Sequence, residues 1–238
     1  MKRDYLSATA LKAFAKSPNH YLEYVTAERK QTDALLLGSL VHCLVLEPHE
    51  VNARYIEVLN MDRRTKEGKQ VYAEYIQNAE GKQPVKAELW QQAVKMAERV
   101  KVEAADVFNT PGKAEVETRG KLFGYEFLAY LDYETKRSVF DLKTTQDANP
   151  AAFQREAYNY GYHLQGAVYT LLTEKPFYWV TVEKIAPYNV VIYKQGNEAY
   201  ERSAQQVERL VKDFIQWDGQ PKGYNVPAGY ILELPKWA

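Results

Sequence analysis

An intrachain disulfide is excluded at the outset, because the 238-residue chain holds a single cysteine, Cys43. One thiol cannot build a CxxC zinc site, nor ligate an iron–sulfur cluster within one chain. Set among Val41, His42 and Leu44, it reads as a buried, inert side chain. Neither sign of charge is in excess, since Lys+Arg and Asp+Glu are both 31. Net charge therefore points to no polyanionic partner, and any nucleic-acid role requires local basic patches or a metal. No apolar run is long enough to span a bilayer, and Met1 to Tyr5 open no signal-peptide apolar stretch. A cytoplasmic protein without membrane contact is expected. HExxH, GxSxG, a P-loop and GxGxxG are all missing, which argues against a zincin, an α/β-hydrolase and a nucleotide-binding site. Repeats, low-complexity segments and a clear linker are missing too. Residues 1–238 are expected to form a single domain, with a mainly helical part over 1–110 and an α/β core over 111–238.

What is present is enough apolar surface for a substantial core: 46% of residues are hydrophobic and 19 are tyrosine. Ser7 is placed to cap a helix carrying Leu11 and Phe14 that ends near Ser17, and Pro18 opens a second. Ala34 to Leu46 is apolar all round, the mark of a buried helix, with His42 on it. Met61 to Lys69 is the densest basic cluster, and a helix is expected from Gln70 to Asn78. Pro84 is expected to open a long helix reaching Phe108. Strands are expected over Ala114–Thr118, Lys121–Asp132 and Val139–Thr144, with a turn at Gly120. Pro150 begins a helix predicted to continue to Thr173, before strands at Phe177–Val182 and Asn189–Tyr193 and a last helix from Asn197 to Trp217. Strand, helix, strand from Val139 to Val182 has the length of a βαβ crossover.

The chemistry concentrates at Asp132 and Asp141-Leu142-Lys143. A hairpin turn centred near Lys136 sets Asp132 opposite Asp141, and alternation puts Asp141 and Lys143 on one face with Leu142 on the other. Like charges directly opposed are destabilising, so a divalent cation is the natural partner of the two carboxylates. Carboxylates holding Mg²⁺ beside a lysine fit metal-assisted phosphodiester hydrolysis. An exposed, salt-bridged strand fits the same spacing. Tyr158, Tyr162, Gln165 and Tyr169 fall on one helical stripe, and a glutamine there is a costly core choice without a partner. That favours a polar face turned to the carboxylates. His163 lies off the stripe. His42 reads either as a satisfied core histidine or as a residue completing a metal shell.

Asp132, Asp141-Leu142-Lys143 and Gln165-x-x-x-Tyr169 together resemble the PD-(D/E)XK nuclease superfamily, on its RecB-like branch. More narrowly, the chain resembles the RecE-type, exonuclease VIII-like phage exonucleases. Leu6-Ser7 to Ser17-Pro18, Leu37-Gly38-Ser39-x-x-His42, Arg63-Arg64-Thr65-Lys66-x-Gly68-Lys69, Ala114-Glu115 and Tyr160-x-Tyr162-His163-x-Gln165 carry that resemblance along nearly the whole chain. It implies a restriction-endonuclease-like α/β fold, a mixed sheet flanked by helices with a helical N-terminal part. It implies His42, Asp132, Asp141 and the Leu142 carbonyl as metal ligands and Lys143 as the catalytic lysine. Glu115 is implied as a support for the metal or water, with Glu117 sharing its face parity. Gln165, Tyr162 and Tyr169 are implied near the DNA strand, and Arg63, Arg64, Lys66 and Lys69 at its phosphates. The implied activity is a Mg²⁺-dependent double-strand DNA exonuclease, with Mn²⁺ able to substitute. Such an enzyme resects 5′ ends to 3′ single strands for a RecT-like annealing protein, as a homo-oligomeric ring. A structure-specific endonuclease of the same fold and an inactive DNA-binding protein are the alternatives. Leu131 stands where the name-giving proline is expected. Ser17 stands where relatives carry a cluster cysteine, so no iron–sulfur cluster is expected.

Overall fold

A computed structural model describes residues 2–28, 31–58, 65–77, 79 and 81–224. The chain opens with helices α1 (Ala8–Lys16), α2 (Pro18–Thr26) and α3 (Asp33–Leu46). Ser7, Ser17 and Thr32 cap them, each hydroxyl accepting a backbone N–H of the first turn. A short helix α4 (Val51–Arg54), strand β1 (Tyr55–Val58) and helix α5 (Lys66–Gln77) follow. Strand β2 (Gln83–Lys86) pairs with β1 in parallel, ahead of α6 (Ala87–Glu103) and α7 (Ala105–Phe108). Pro84 therefore sits in a two-stranded ladder rather than opening a helix, because its missing N–H costs nothing on an edge.

The centre is a five-stranded mixed sheet in the order β3-β4-β5-β6-β7, built from β3 (Gly112–Leu122), β4 (Tyr125–Thr135), β5 (Val139–Thr145), β6 (Phe177–Glu183) and β7 (Val190–Lys194). Only β5 and β6 run parallel. Between them lie α8 (Pro150–Asn159) and α9 (Tyr162–Thr173), and α10 (Asn197–Gln216) follows the sheet. The first hairpin turns at Phe123-Gly124, both at positive φ, the backbone a two-residue turn needs. Gly120, expected to turn, instead lies within β3, where an added Cβ would come 2.9 Å from Leu172 of α9.

Alternation along the sheet sorts its residues into two cores. Leu131, Val139 and Phe177 pack with Leu11, Ala167 and Phe214 from α1, α9 and α10. Leu142, Val180 and Val182 pack on the opposite face with Leu40, Val41 and Met96 from α3 and α6. Among the described residues, no single helix is long and apolar enough to cross a membrane.

The helix expected from Pro150 to Thr173 is broken. Gly161 adopts φ 66° and separates α8 from α9, and an added Cβ there would lie 2.9 Å from the Lys12 side chain. A left-handed residue without a Cβ re-aims the chain at little cost. The break divides the predicted stripe: Tyr158 stays on α8, while Tyr162, Gln165 and Tyr169 share α9.

Candidate metal and nucleic-acid site

The β4–β5 ladder is short, pairing Glu134 with Val139 and Tyr133 with Phe140. The next positions across, Asp132 and Asp141, are not paired, and the Asp132 Oδ2 instead accepts the Leu142 N–H at 2.7 Å. On the other side of β4, Glu115 is the one residue of β3 without a ladder partner, at the level of Asp132. Its φ of 50° is left-handed, a conformation that costs a non-glycine residue about 1–3 kcal/mol and gathers at functional sites. The sheet thus opens at one level on both sides of Asp132.

Two groups of side chains meet at that opening. On the α3 face, His42, Glu115 and Asp132 offer ligand atoms that all lie within 4.8 Å of one another, with His42 Nδ1 3.4 Å from Asp132 Oδ2. Burial pushes the Asp132 carboxyl above the ordinary carboxylate range and the Asp141 charge adds to this, against the pull of His42, Lys143 and the Leu142 N–H. Burial likewise raises Glu115, with the Asp132 charge next in effect. Glu117 stands apart, engaged by Arg119 and the Tyr130 hydroxyl, so it is Glu115 that joins the cluster.

On the α9 face, Asp141 is only 1% exposed. Its Oδ1 accepts the Gln165 amide at 2.8 Å, and its Oδ2 lies 2.5 Å from the Lys143 ammonium. That ammonium is off hydrogen-bond alignment, which leaves the buried Oδ2 without a directed donor. Burial draws the Lys143 pKa down, but Asp141 and Asp132 more than reverse this and hold the side chain firmly protonated. Gln165 also donates to the Tyr169 hydroxyl at 3.2 Å, and Tyr169 donates to the Tyr130 carbonyl at 3.0 Å. A chain of hydrogen bonds therefore runs from β4 through α9 to Asp141. Tyr169 is buried, with its hydroxyl spent on this chain. In this arrangement it braces Gln165.

Tyr162 lies over Lys143, whose ammonium is 5.1 Å from the ring centroid, and Lys12 of α1 approaches the same ring at 5.5 Å. Lys12 is a site residue that sequence reasoning missed. Burial, and then Lys143, lower its pKa to about 8, and among the described residues no carboxylate pairs with it. Its position next to buried Leu11, four residues after buried Ala8, was the available signal: a cation at the edge of an apolar stripe. His163 stacks on Tyr158 away from the carboxylates. Lys66 and Lys69 lie exposed at the start of α5, while Arg63 and Arg64 fall outside the described residues.

Residues 7–221 match the family described as PDDEXK-like domain of unknown function (DUF3799). Among solved structures, a provisionally assigned exonuclease from Eubacterium rectale is similar with a TM-score of 0.63 at 17% identity, over 98% of this chain and 90% of that one. At that identity the likeness shows a shared fold. A phage-related exonuclease from Haemophilus somnus 129PT is similar at 14% identity over 52% of this chain and 71% of that one, with a TM-score of 0.31, too low to carry an argument. No curated protein matches the chain.

Proposed function

Because the chain belongs to the PDDEXK-like family over residues 7–221, we propose that it is a divalent-metal-dependent nuclease that degrades double-stranded DNA from its ends. What supports this reading is that Asp141, Lys143 and Gln165 meet on one face of the sheet, and His42, Glu115 and Asp132 on the other, at the one level where the sheet opens. The donor set fits a hard cation such as Mg²⁺ or Mn²⁺: carboxylate oxygens predominate, with one imidazole, and a bound cation would offset the repulsion between them. Asp141 Oδ2 is buried beside the Lys143 ammonium at 2.5 Å, so a ligand there would displace that contact. His42, Asp132, Asp141 and the Leu142 carbonyl are the proposed holders, with Glu115 in support. A cation bound there supplies charge neutralisation at the phosphate and acidifies water.

The chain's own residues do the rest. Lys143, beside Asp141, orients water and balances phosphate charge. Gln165 fixes the Asp141 rotamer, and Tyr169 fixes Gln165. Glu115, with its pKa raised, is a better proton acceptor than an ordinary carboxylate. Lys12 and Tyr162 line the approach of the DNA, and Arg63, Arg64, Lys66 and Lys69 contact its phosphates further out.

The finer reading follows the resemblance to RecE-type exonucleases. The enzyme cuts processively from 5′ ends in the cytoplasm and leaves 3′ single strands for a RecT-like annealing partner. It works as a homo-oligomeric ring whose narrow channel needs only local positive lining. Linear duplex labelled separately at each 5′ and 3′ end, incubated with protein and Mg²⁺ or Mn²⁺, tests it. Early release of 5′ label with closed circles spared is the expected result. Cleavage of closed circles would make it an endonuclease, and intact linear duplex would end the nuclease reading.

A further inference from the structure

The break between α8 and α9 does more than re-aim the helix. It leaves Tyr158 and Tyr160 at 74% and 63% exposure, among the most exposed large hydrophobic side chains described. Each is already backed by a second ring. Tyr158 stacks on His163 with centroids 5.4 Å apart and planes 14° from parallel, and Tyr160 on Tyr162 at 5.8 Å and 30°. Neither backing ring is loose: the His163 Nδ1 lies 3.3 Å from the Ala157 carbonyl, and Tyr162 is held between the Lys12 and Lys143 ammonium groups. Tyr158 and His163 also wall a cavity of about 1130 Å³ between α8 and α10, floored by Phe153, Trp179 and Tyr193. Arg155 and Lys194 stand at its edge, and among the described residues neither has a carboxylate partner.

Flat, rigid, solvent-facing rings beside unpaired cations match one chemistry: bases whose faces are free, on a chain of phosphates. Paired bases hide their faces within the duplex, so the ligand is an unpaired strand. An acidic peptide would use the cations and leave the rings uncovered. We propose that Tyr158 with the cavity it walls, and Tyr160 beside it, form a stacking site for unpaired bases of a single DNA strand. Tyr162 touches both Tyr160 and Lys143, so a strand stacked here lies beside the carboxylate site. The placement rests on the nuclease reading; the stacking does not.

Binding of fluorescein-labelled oligothymidylate, and of the same length of abasic oligonucleotide, to the full chain in EDTA tests the stacking with cleavage shut off. Wild-type protein is expected to bind the thymidylate at least about fivefold more tightly than the abasic strand, from one stacked base alone. Tyr158→Ala/Tyr160→Ala should bind the two strands equally, and Tyr158→Phe/Tyr160→Phe should keep the preference. An unchanged preference in the alanine variant would overturn the proposal. So would a sedimentation shift in that variant with the preference intact, which would assign the rings to a contact between copies of the chain. Because no cleavage is measured, a base preference in a protein that cuts nothing would leave the stacking site standing and end the nuclease reading alone.

Discussion

Replacing Asp132 with asparagine should stabilise the metal-free protein while removing its activity. Glu115 and Asp132 offer oxygens within 4.8 Å of each other. Two unit charges at that separation repel by about 1 kcal/mol in a water-like dielectric and about 3.5 kcal/mol at an effective value of 20. Glu115 is exposed on its strand and His42 offsets part of the repulsion, so the lower figure applies. Asparagine keeps an acceptor for the Leu142 N–H and loses the charge. A gain of about 1 kcal/mol moves the melting temperature of a chain of this size up by about 2–4 °C. The pH dependence has a definite sign. Asp132 and Glu115 both have folded pKa values above their ordinary ones, so the folded state holds more protons than the unfolded state. Their contribution is favourable below the ordinary carboxylate range and is lost as pH rises through the folded values. The advantage of Asp132→Asn should therefore be present at pH 7.5 and vanish near pH 4. Saturating Mn²⁺ should reverse the order, since an ion at 100 times its Kd adds about 2.7 kcal/mol to the protein that binds it. Thermal melts of both proteins in EDTA and in Mn²⁺, at both pH values, give the answer. A lower melting temperature for Asp132→Asn in EDTA at pH 7.5, or equal Mn²⁺ shifts in the two proteins, would refute the reasoning.

Other perturbations follow from the same contacts. Tyr169→Phe deletes the hydroxyl that joins Gln165 to the Tyr130 carbonyl; unfolding by urea should show a loss of about 1–2 kcal/mol. Its cleavage rate should fall about tenfold or more, as for other residues that orient a ligand. Lys12→Met should raise KM for DNA about tenfold with kcat little changed, and should lower the salt slope of binding by about one; an unaltered slope would place Lys12 away from the DNA. Gly161→Ala meets both a left-handed backbone and the Lys12 side chain, and should cost about 1–2 kcal/mol from the backbone alone. The loss should shrink in a Lys12→Ala background, as a double-mutant cycle will show.

Much of this arrangement was legible from residue spacing. The hairpin turn at Thr135–Ser138 was readable and sets Asp132 level with Asp141, but the two carboxylates turn to opposite faces, Asp132 toward His42 and Asp141 toward Gln165; period-two alternation put Asp141 and Lys143 together with Leu142 reversed. The helix cap at Ser7 was readable because the hydroxyl precedes an apolar stripe. Other features depend on contacts between segments far apart in sequence. The Gly161 break is set by Lys12 lying against it, some 150 residues earlier in the chain. The β1–β2 pair joins short segments whose pattern is too brief to carry a period. Tyr169 and Gln165 share a helical face, but which would meet a ligand and which would brace it depended on the Tyr130 carbonyl, a backbone atom invisible to any side-chain pattern.

The pairing of Asp141 with Lys143 also bears on how tightly this protein can hold an ion. Asp141 already has a cation, and that cation is covalently part of the chain. Any ion binding through this carboxylate would be an exchange, in which a tethered monovalent charge yields ground to a free divalent one. The free energy of loading is the difference between two pairings, smaller than either alone. Without an ion, the lysine stands in as the carboxylate's partner, so the buried Asp141 is not left bare.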